Sequence, residues 1–395
     1  MNKPLSVTTV LFMSLLISCN TQNNSTNLQL HTPKVINLSN TPKTNQLLSN
    51  VVDSIKYIPL ETNDSCLIGT INQLIECKDR FIILDTENSH SVYCFDKNGN
   101  FLNKIGKLGE GPGEYKTPNS ISYDFYSNTI FIYDIENKKL LSYSVDGRFL
   151  SENRINYYGR NLIRLNDNKF AFHTEYSDFV TKPNNKEGYN IFILDKKLKI
   201  LKKLIPYSRK INIENMVFLY NPLSFFNNDS LSFIMPYNNN IFHISNKESN
   251  AFYYINFGKY NLPVTFNDEI LTSNYGNSEF TINYIKKGNY SYIKQVVENT
   301  NWLFITYLKN NKYVGTFYSK TDNFYYESYL PFINDIDNGN SFYGLISTNR
   351  NHFIGITYPY LLKRIEIDNV KGSLKNIITR LEETDNPVII VYFMK

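Results

Sequence analysis

The stretch Phe81-Ile82-Ile83-Leu84-Asp85-Thr86-Glu87-Asn88 returns 49 residues later as Ile130-Phe131-Ile132-Tyr133-Asp134-Ile135-Glu136-Asn137. The match continues when Phe95–Leu102 is placed over Ser144–Leu150, with one residue deleted. Each copy reads as a strand, an Asx turn, a second strand, an Asn-Gly or Asp-Gly hairpin and a third strand. Such dipeptides supply the positive φ angles that two-residue hairpins require. The chain is therefore built from repeated antiparallel units.

The same order of strands and turns continues, less regularly, along the rest of the chain. Inner strands are predicted to begin near Asn72, Asn119, Asn161, Asn221, Tyr292 and Phe342. Further short apolar segments follow each of them, and the groups recur at intervals of about 40 to 50 residues, which is typical of β-propeller blades. Six such groups predict an all-β fold, a six-bladed β-propeller with four-stranded blades.

The sixth blade is complete only if the two ends of the domain meet. Pro387–Phe393 supplies its third strand, and Ile55–Leu60 supplies the fourth. Closing the ring in this way removes the exposed edges that an open stack of sheets would present. Between the second and third strands, Asn369–Glu383 has apolar residues at helical spacing and is predicted to form an amphipathic helix. Residues 259–291 form a long insertion in blade five.

The N-terminal residues read as a signal for export. Residues 1–18 combine Lys3 with an apolar run that is shorter than the roughly 20 residues needed to span a bilayer, so they form a signal peptide. Leu16-Ile17-Ser18-Cys19 resembles the bacterial lipobox. This resemblance predicts cleavage before Cys19 and anchoring to a membrane through acyl chains on that cysteine. Plain secretion is the alternative.

The segment after the cysteine is polar, which predicts residues 19–50 to be a lipidated cysteine followed by a flexible tether. The propeller domain then occupies residues 51–395. Asn20 in the position after the cysteine resembles an outer-membrane sorting signal, and no acidic cluster of the kind found in some surface lipoproteins follows it. We therefore expect an outer-membrane lipoprotein of the cell envelope, facing the periplasm rather than the cell surface.

Composition argues against several classes of function. The formal net charge is only +5 over 395 residues, with Lys and Arg scattered, so nucleic-acid binding has no electrostatic support. Cys66, Cys77 and Cys94 have no CxxC spacing, which indicates neither a zinc site nor a disulfide framework, although a bridge between Cys66 and Cys77 remains an alternative. The five histidines show no HxH or HExxH spacing. We expect no metal and no cofactor.

Several motifs together resemble one known family. They are Ile58–Thr62, the glycine-rich Gly106–Tyr115, the Asp-Gly type hairpins, and Asn386–Ile389. This combination resembles the six-bladed β-propeller lipoproteins of Gram-negative cell envelopes, which are related to NHL-repeat proteins. The resemblance covers residues 50–395 and implies a fold and a cell-envelope location, since most members have no assigned activity. Blades three to five depart from it because their hairpins lack the Asp-Gly signature.

The glycine-rich stretch has two interpretations. It is not a Walker A loop, because no Gly-Lys-Ser/Thr follows the glycines. In the first interpretation it is a connection between blades that needs several residues with positive φ. In the second, its backbone N–H groups line the mouth of the channel together with Glu114 and Tyr115.

Propellers bind ligands at the channel mouth where connections between blades lead into the inner strands. The candidate ligand-binding residues at this mouth are Glu114, Tyr115, Asn119, Tyr158, Arg160, Asn161, Tyr220, Asn221 and Tyr343. Recurring tyrosine and asparagine side chains suit stacking against, and hydrogen bonding to, a saccharide, a peptide or a protein partner. The alternative is that the asparagines cap turns and that tyrosine is simply abundant.

No catalytic constellation stands out, so we expect a binding module without catalysis. The alternative is a propeller enzyme, a lyase or a metal-dependent lactonase or hydrolase with its site in the central channel. Such an enzyme needs acidic or histidine side chains that converge on the channel. Near inner strands, the sequence offers Glu76, Glu114 and Asp124 for this role.

Overall fold

The computed structural model describes residues 32–178, 185–219, 222–227, 230–274, 276–349 and 351–395. Six sheets follow one another along the chain, each built on four antiparallel strands, and they form a ring. This architecture confirms the predicted all-β, six-bladed β-propeller. The predicted signal peptide and Cys19 lie outside the described residues. In the part of the chain that is described, no helix has both the length and the apolar character needed to cross a membrane.

Strands β1 (Lys34–Asn37) and β2 (Val52–Pro59) precede the first blade. Blades one to three each contain four consecutive strands: β3 (Gln73–Glu76), β4 (Arg80–Asp85), β5 (Ser91–Asp96) and β6 (Phe101–Lys104); β7 (Pro118–Asp124), β8 (Thr129–Asp134), β9 (Lys139–Ser144) and β10 (Phe149–Arg154); β11 (Asn161–Leu165), β12 (Lys169–His173), β13 (Glu187–Leu194) and β14 (Ile200–Ser208).

Blades four to six complete the ring. Their strands are β15 (Leu223–Asn227), β16 (Ser230–Ile234), β17 (Asn240–Ser245) and β18 (Ser249–Asn256); β19 (Tyr292–Glu298), β20 (Trp302–Lys309), β21 (Lys312–Ser319) and β22 (Tyr325–Tyr329); β23 (Ser347–Thr348), β24 (His352–Thr357) and β25 (Val388–Met394). Strand β2 pairs antiparallel with β25, from Val52 opposite Met394 to Pro59 opposite Val388. The two ends of the domain therefore close blade six, as predicted.

Among the described residues, three α-helices lie outside the blades: α1 (Ser278–Gly288), α2 (Pro359–Leu362) and α3 (Ser373–Arg380). Helix α1 lies in the predicted insertion of residues 259–291, which in the structure connects β18 of blade four to β19 of blade five. Helix α3 confirms the helix predicted over Asn369–Glu383, with narrower bounds. Its buried residues Leu374 and Ile378 pack in the cluster between blades five and six.

Apolar side chains fill the space between neighbouring blades all the way around the ring. Each of the six blade-to-blade interfaces has its own buried cluster. Between the last blade and the first, Ile354 and Ile389 of blade six pack with Phe81 and Phe95 of blade one. Burial of this kind is the main favourable contribution to folding. Apolar packing also joins blade six to blade one, a contact that we call the seam of the ring. The ring is therefore closed by packing as well as by strand pairing.

The aspartate of the repeated motif fixes the connections between blades. Asp85 ends β4 and is fully buried, and its carboxylate accepts hydrogen bonds from the backbone N–H groups of Gly69 and Asn88, both at 2.9 Å. Asp134 ends β8 and accepts one from the N–H of Lys116 at 2.7 Å. Each aspartate thus holds its own turn together with the connection that arrives from the preceding blade. These contacts shape the channel mouth at which the inner strands begin.

The structure differs from the predicted flexible tether in residues 34–50. Strand β1 pairs in parallel with β18, from Lys34 opposite Tyr253 to Asn37 opposite Asn256. Leu38 follows the strand and is fully buried. Alternate residues of an extended chain face the same side, so Leu38 faces the same way as the buried Ile36, toward blade four. The packed domain therefore begins before residue 51.

The predicted start of the sixth inner strand near Phe342 is wrong. The inner strand is the short, polar β23, whereas Phe342 exchanges two backbone hydrogen bonds with Phe332, at 2.9 and 3.0 Å. The Phe342 side chain is 1% exposed and packs between blades five and six. The aromatic character of this residue reflects a place in the core and not in a strand around the channel.

Candidate functional site

Among the described residues, cavities lie at the end of the channel where the inner strands begin, which we call the upper mouth. The amide cavity, of about 150 Å³, is lined by Asn72, Gln73, Leu84, Thr86, Glu87, Asn119, Arg160 and Asn161. The lysine cavity, of about 570 Å³, is lined by Lys294, Gln295, Thr306, Lys312, Tyr313, Leu330 and Tyr343. A narrow space of about 40 Å³ between the inner strands shares Gln73 with the first cavity and Gln295 with the second. The channel thus separates two larger cavities that belong to one mouth.

The amide cavity brings together three of the predicted site residues. Asn119 begins the inner part of blade two, and its side-chain amide donates a hydrogen bond to the backbone carbonyl of Arg160. Asn161, at the start of β11, has its Oδ1 atom 3.5 Å from Nδ1 of His173. Burial lowers the pKa of His173 to about 3, with a smaller contribution from the Arg160 charge, so the imidazole is neutral at physiological pH. His173 therefore adds no charge beside Asn161.

Arg160 provides the cation of this cavity. Its Nη1 atom donates to Oε1 of Glu175 at 3.0 Å, and the Arg160 side chain is 36% exposed. Burial raises the pKa of Glu175, although the Arg160 guanidinium opposes the shift. A guanidinium has five N–H donors, and Glu175 is its one side-chain acceptor among the residues that the structure describes. Donors of Arg160 remain for a ligand.

Sequence reasoning missed the residues of blade one in this cavity. The side-chain amide of Asn72 donates to Oε1 of Glu87 at 3.0 Å, and its carbonyl oxygen accepts from the N–H of Thr86 at 2.7 Å. Asn72 stands at the start of its blade as Asn119 and Asn161 do in theirs. The repeat therefore carried the signal that could have placed Asn72 in the site.

Glu114 and Tyr115 serve the glycine-rich loop and the core instead of the mouth. Oε2 of Glu114 accepts from the N–H of Gly111 at 2.9 Å, and Oε1 lies 2.8 Å from Nζ of Lys107. Tyr115 is fully buried, and its hydroxyl donates to the carbonyl of Ile105 at 3.0 Å. Because its side chain reaches no surface, Tyr115 cannot contact a ligand in this structure. The structure therefore places Tyr115 in the core between blades one and two.

The backbone of the loop supports the structural interpretation. Gly106 and Gly113 both have φ of +70°, and Gly109 has φ of +155°. A Cβ atom on Gly109 would lie 2.0 Å from Oε2 of Glu114, so a side chain there would displace that carboxylate, and the φ of +155° also favours glycine. The glycines are therefore explained by the shape of the connection between blades one and two.

The remaining candidates are dispersed. Tyr158 is 57% exposed and lies beside Lys138, whose Nζ atom is 3.8 Å from the ring centroid, outside the lining of the amide cavity. Tyr343 is 68% exposed and lines the lysine cavity. Tyr220 and Asn221 lie outside the described residues.

At the opposite end of the channel, which we call the lower mouth, acidic residues at the ends of inner strands pair with bases of a neighbouring blade. The three pairs, with their shortest distances, are Glu76 with His352 at 2.6 Å, Asp124 with Arg164 at 2.8 Å, and Glu298 with His243 at 2.9 Å. Two of these acids are carboxylates that the enzymatic alternative would use. In the described part of the chain, no three His, Cys, Asp or Glu side chains form a group that could hold a metal ion.

Comparison with known proteins identifies a family and a fold. A family model described as "Domain of unknown function (DUF4934)" matches residues 33–393. The solved structure of a protein described as a putative exported protein from Bacteroides fragilis is 21% identical, with a TM-score of 0.76, and the alignment covers 92% of this chain and 100% of that one. A member of the DUF4221 family from Bacteroides vulgatus is 12% identical, with a TM-score of 0.52 and coverage of 89% and 99%. At these identities the likeness shows the fold alone. No curated protein matches the chain.

Proposed function

The chain belongs to the DUF4934 family, whose description states no activity. We propose that it is an exported binding protein that holds a polar ligand at the upper mouth of its propeller. The ligand class that fits best is a saccharide. The expected alternatives, a peptide or a partner protein, use the same face.

The observation that carries the proposal is the convergence of side chains from three blades on the amide cavity. Asn72 and Glu87 come from blade one, Asn119 from blade two, and Arg160 and Asn161 from the start of blade three. Amide, carboxylate and guanidinium groups together offer both donors and acceptors, which is the pattern that sugar hydroxyls require.

Glycan-array screening of the purified full chain, followed by calorimetry with the best saccharide, tests the proposal. We expect Arg160→Met to weaken binding by roughly tenfold or more, because hydrogen bonds to charged groups contribute about 1.5–3 kcal/mol. Arg148→Met is the matched control, since Arg148 is an exposed arginine of blade two that lies outside the cavity lining. Equal affinity of Arg160→Met and the unaltered chain would contradict the proposal.

Export and anchoring are part of the same proposal. Residues 1–18 have the features of a signal peptide, and Leu16–Cys19 resembles a lipobox. The similar protein from Bacteroides fragilis is described as exported, which supports this assignment. We place the protein at the outer membrane with a lipid on Cys19, and the propeller on the periplasmic side.

Labelling with a fatty-acid analogue in a bacterial host tests the anchor. We expect the full chain to incorporate the label and to fractionate with membranes, and Cys19→Ser to lose both properties. Cys66→Ser is the matched control, because Cys66 is buried in the domain. Label retained by Cys19→Ser would contradict the assignment. Degradation by protease added to intact cells would contradict the periplasmic placement.

A further inference from the structure

We propose that the lysine cavity binds the acidic group of a saccharide, either a carboxylate or a sulfate, so that the ligand of this protein is an anionic oligosaccharide. The inference names a ligand class for the function proposed above and rests on that function. It concerns a second cavity, on blade five, that no candidate residue except Tyr343 had indicated.

The cavity has the size and position of a ligand site. Its volume of about 570 Å³ lies within the range of about 300–1,000 Å³ that is typical of small-molecule pockets. Lys294 and Gln295 come from the inner strand β19, and Lys312 and Tyr313 begin β21. These strand ends face the upper mouth, so the cavity opens on the same side of the ring as the amide cavity.

Two lysines give this cavity a positive charge that no carboxylate among the described residues neutralises. Among the residues that the structure describes, no carboxylate lies within 4 Å of the ammonium group of Lys294 or Lys312. Lys294 instead lies 5.3 Å from the ring centroid of Tyr292, and Lys312 lies 5.6 Å from that of Tyr329. Burial lowers the pKa of Lys294, and no acid in the described part of the chain opposes this effect. A partly buried cation without a counter-ion is a position where a ligand anion is strongly favoured.

A buried hydroxyl provides an independent observation. Thr306 lines the cavity, is only 8% exposed, and its Oγ1 atom has no hydrogen-bond partner among the described residues. Leaving such a group unpaired costs roughly 1–3 kcal/mol. The adjacent Gln295 donates from Nε2 to the carbonyl of Leu345 at 2.8 Å, which leaves its Oε1 atom as an acceptor. A ligand with hydroxyl groups can satisfy both atoms.

The wall of the cavity favours a sugar ring as the carrier of the anion. Tyr313 is 53% exposed and Tyr343 is 68% exposed, so two tyrosine rings are available at the cavity. Aromatic rings provide large apolar contact surfaces with a polar hydroxyl at the edge. Paired with the cations, they match a pyranose that has an apolar face and an acidic substituent.

Calorimetry on the full chain with three probes tests the inference. The probes are an oligogalacturonate, the same oligomer fully methyl-esterified, and a sulfated heparin-derived oligosaccharide, so that carboxylate, neutral ester and sulfate are compared. We expect at least one of the two acidic probes to bind about tenfold or more tightly than the ester, and this preference to fall as salt is added.

Substitution of Lys294 tests whether the preference for the acidic probe over the ester arises in the lysine cavity. We expect Lys294→Gln to remove the advantage of the acidic probe, a loss of about tenfold, while the affinity for the ester is unchanged. Lys56→Gln is the matched control, since Lys56 is exposed on the outer strand of blade six. Unaltered thermal melting of Lys294→Gln establishes that the variant is folded. In the unaltered chain, nitrogen-15 NMR of the lysine ammonium groups should show the pKa of Lys294 rising when the acidic probe binds.

Several results would overturn the inference. They are equal affinity for acid and ester, full retention of the preference in Lys294→Gln, or a pKa of Lys294 that the acidic probe leaves unchanged. Polyglutamate that binds as tightly as the acidic saccharide, with the same dependence on Lys294, would overturn the choice of a sugar. Binding that depends on Arg160 but not on Lys294 would overturn only this inference, whereas acid-specific binding that depends on Lys294 but not on Arg160 would overturn only the amide-cavity proposal.

Discussion

His352 of blade six contacts Glu76 of blade one across the seam of the ring, with 2.6 Å between Nε2 and Oε2. Asn349 donates a second hydrogen bond to the same oxygen at 2.8 Å, and Lys97 contacts the other oxygen. Burial disfavours the charged carboxylate, but the hydrogen bonds from His352 and Lys97 outweigh this effect and lower the pKa of Glu76 to about 2. The first and last blades are therefore joined by a charged contact at the lower mouth.

This contact predicts a specific dependence of stability on pH. The folded-state pKa of Glu76, about 2, lies below its ordinary value of 4.5, so the contact stabilises the fold above about pH 4.5 and this stability is lost as the pH falls toward 2. We expect the group to account for up to about 3 kcal/mol of that loss. In urea unfolding between about pH 5 and pH 2.5, the free energy of unfolding of Glu76→Gln should fall less steeply than that of the unaltered chain. Glu383→Gln, at an exposed site, should show the same pH dependence of the free energy of unfolding as the unaltered chain. The same pH dependence in Glu76→Gln would contradict the role given to Glu76.

The pair between Asp124 and Arg164 makes a second prediction. Nε and Nη2 of Arg164 both donate to Oδ2 of Asp124, at 3.0 and 2.8 Å, and both side chains are less than 10% exposed. Arg164→Met should lower the free energy of unfolding by about 3–5 kcal/mol, because it leaves a buried carboxylate without its partner. The double variant Asp124→Asn/Arg164→Met should recover part of the loss.

Chemical denaturation measures this double-mutant cycle. Lys375→Met is the control, since the Lys375–Asp368 pair is exposed and separated by 3.5 Å, and it should change stability by less than about 0.5 kcal/mol. Additive losses in the double variant would show that the buried pair does not couple blades two and three.

The packing of residues 34–38 on blade four also has a measurable consequence. Leu38 is fully buried in the cluster between blades four and five, whereas Val35 on the same segment is 53% exposed. Leu38→Ala should destabilise the fold by about 2–5 kcal/mol, and Val35→Ala by less than about 0.5 kcal/mol. Equal effects of the two variants on the melting temperature would contradict the packing of residues 34–38 on blade four and would support a flexible tether.

Tyr115 distinguishes the two interpretations of the glycine-rich loop. Its hydroxyl donates to the carbonyl of Ile105 and accepts from the N–H of Val92 at 3.3 Å. Tyr115→Phe should therefore cost about 1–3 kcal/mol of stability and leave saccharide affinity unchanged. If Tyr115→Phe instead lost saccharide affinity while its stability was unchanged, the glycine-rich loop would be part of the binding site.

The repeat made the fold predictable from sequence, because period-two strands and Gly-containing hairpins are local features. The site was predictable only in part. Asn119, Arg160 and Asn161 could be placed at the upper mouth since they precede or begin inner strands. Glu76 and His352 are 276 residues apart, and nothing local indicates that they meet. Lys294 was missed for a similar reason. That no acid of the described chain opposes its charge is a property of the folded surroundings and not of the sequence pattern.

Hydrogen–deuterium exchange of the full chain, with and without the tightest-binding saccharide, shows whether the ligand binds at the upper mouth. We predict slower exchange at residues 117–121 and 157–162, which lead into the inner strands of blades two and three, and unchanged exchange at residues 124–128 of the lower mouth. Protection confined to residues 124–128, or to the outer strands of the blades, would contradict the account.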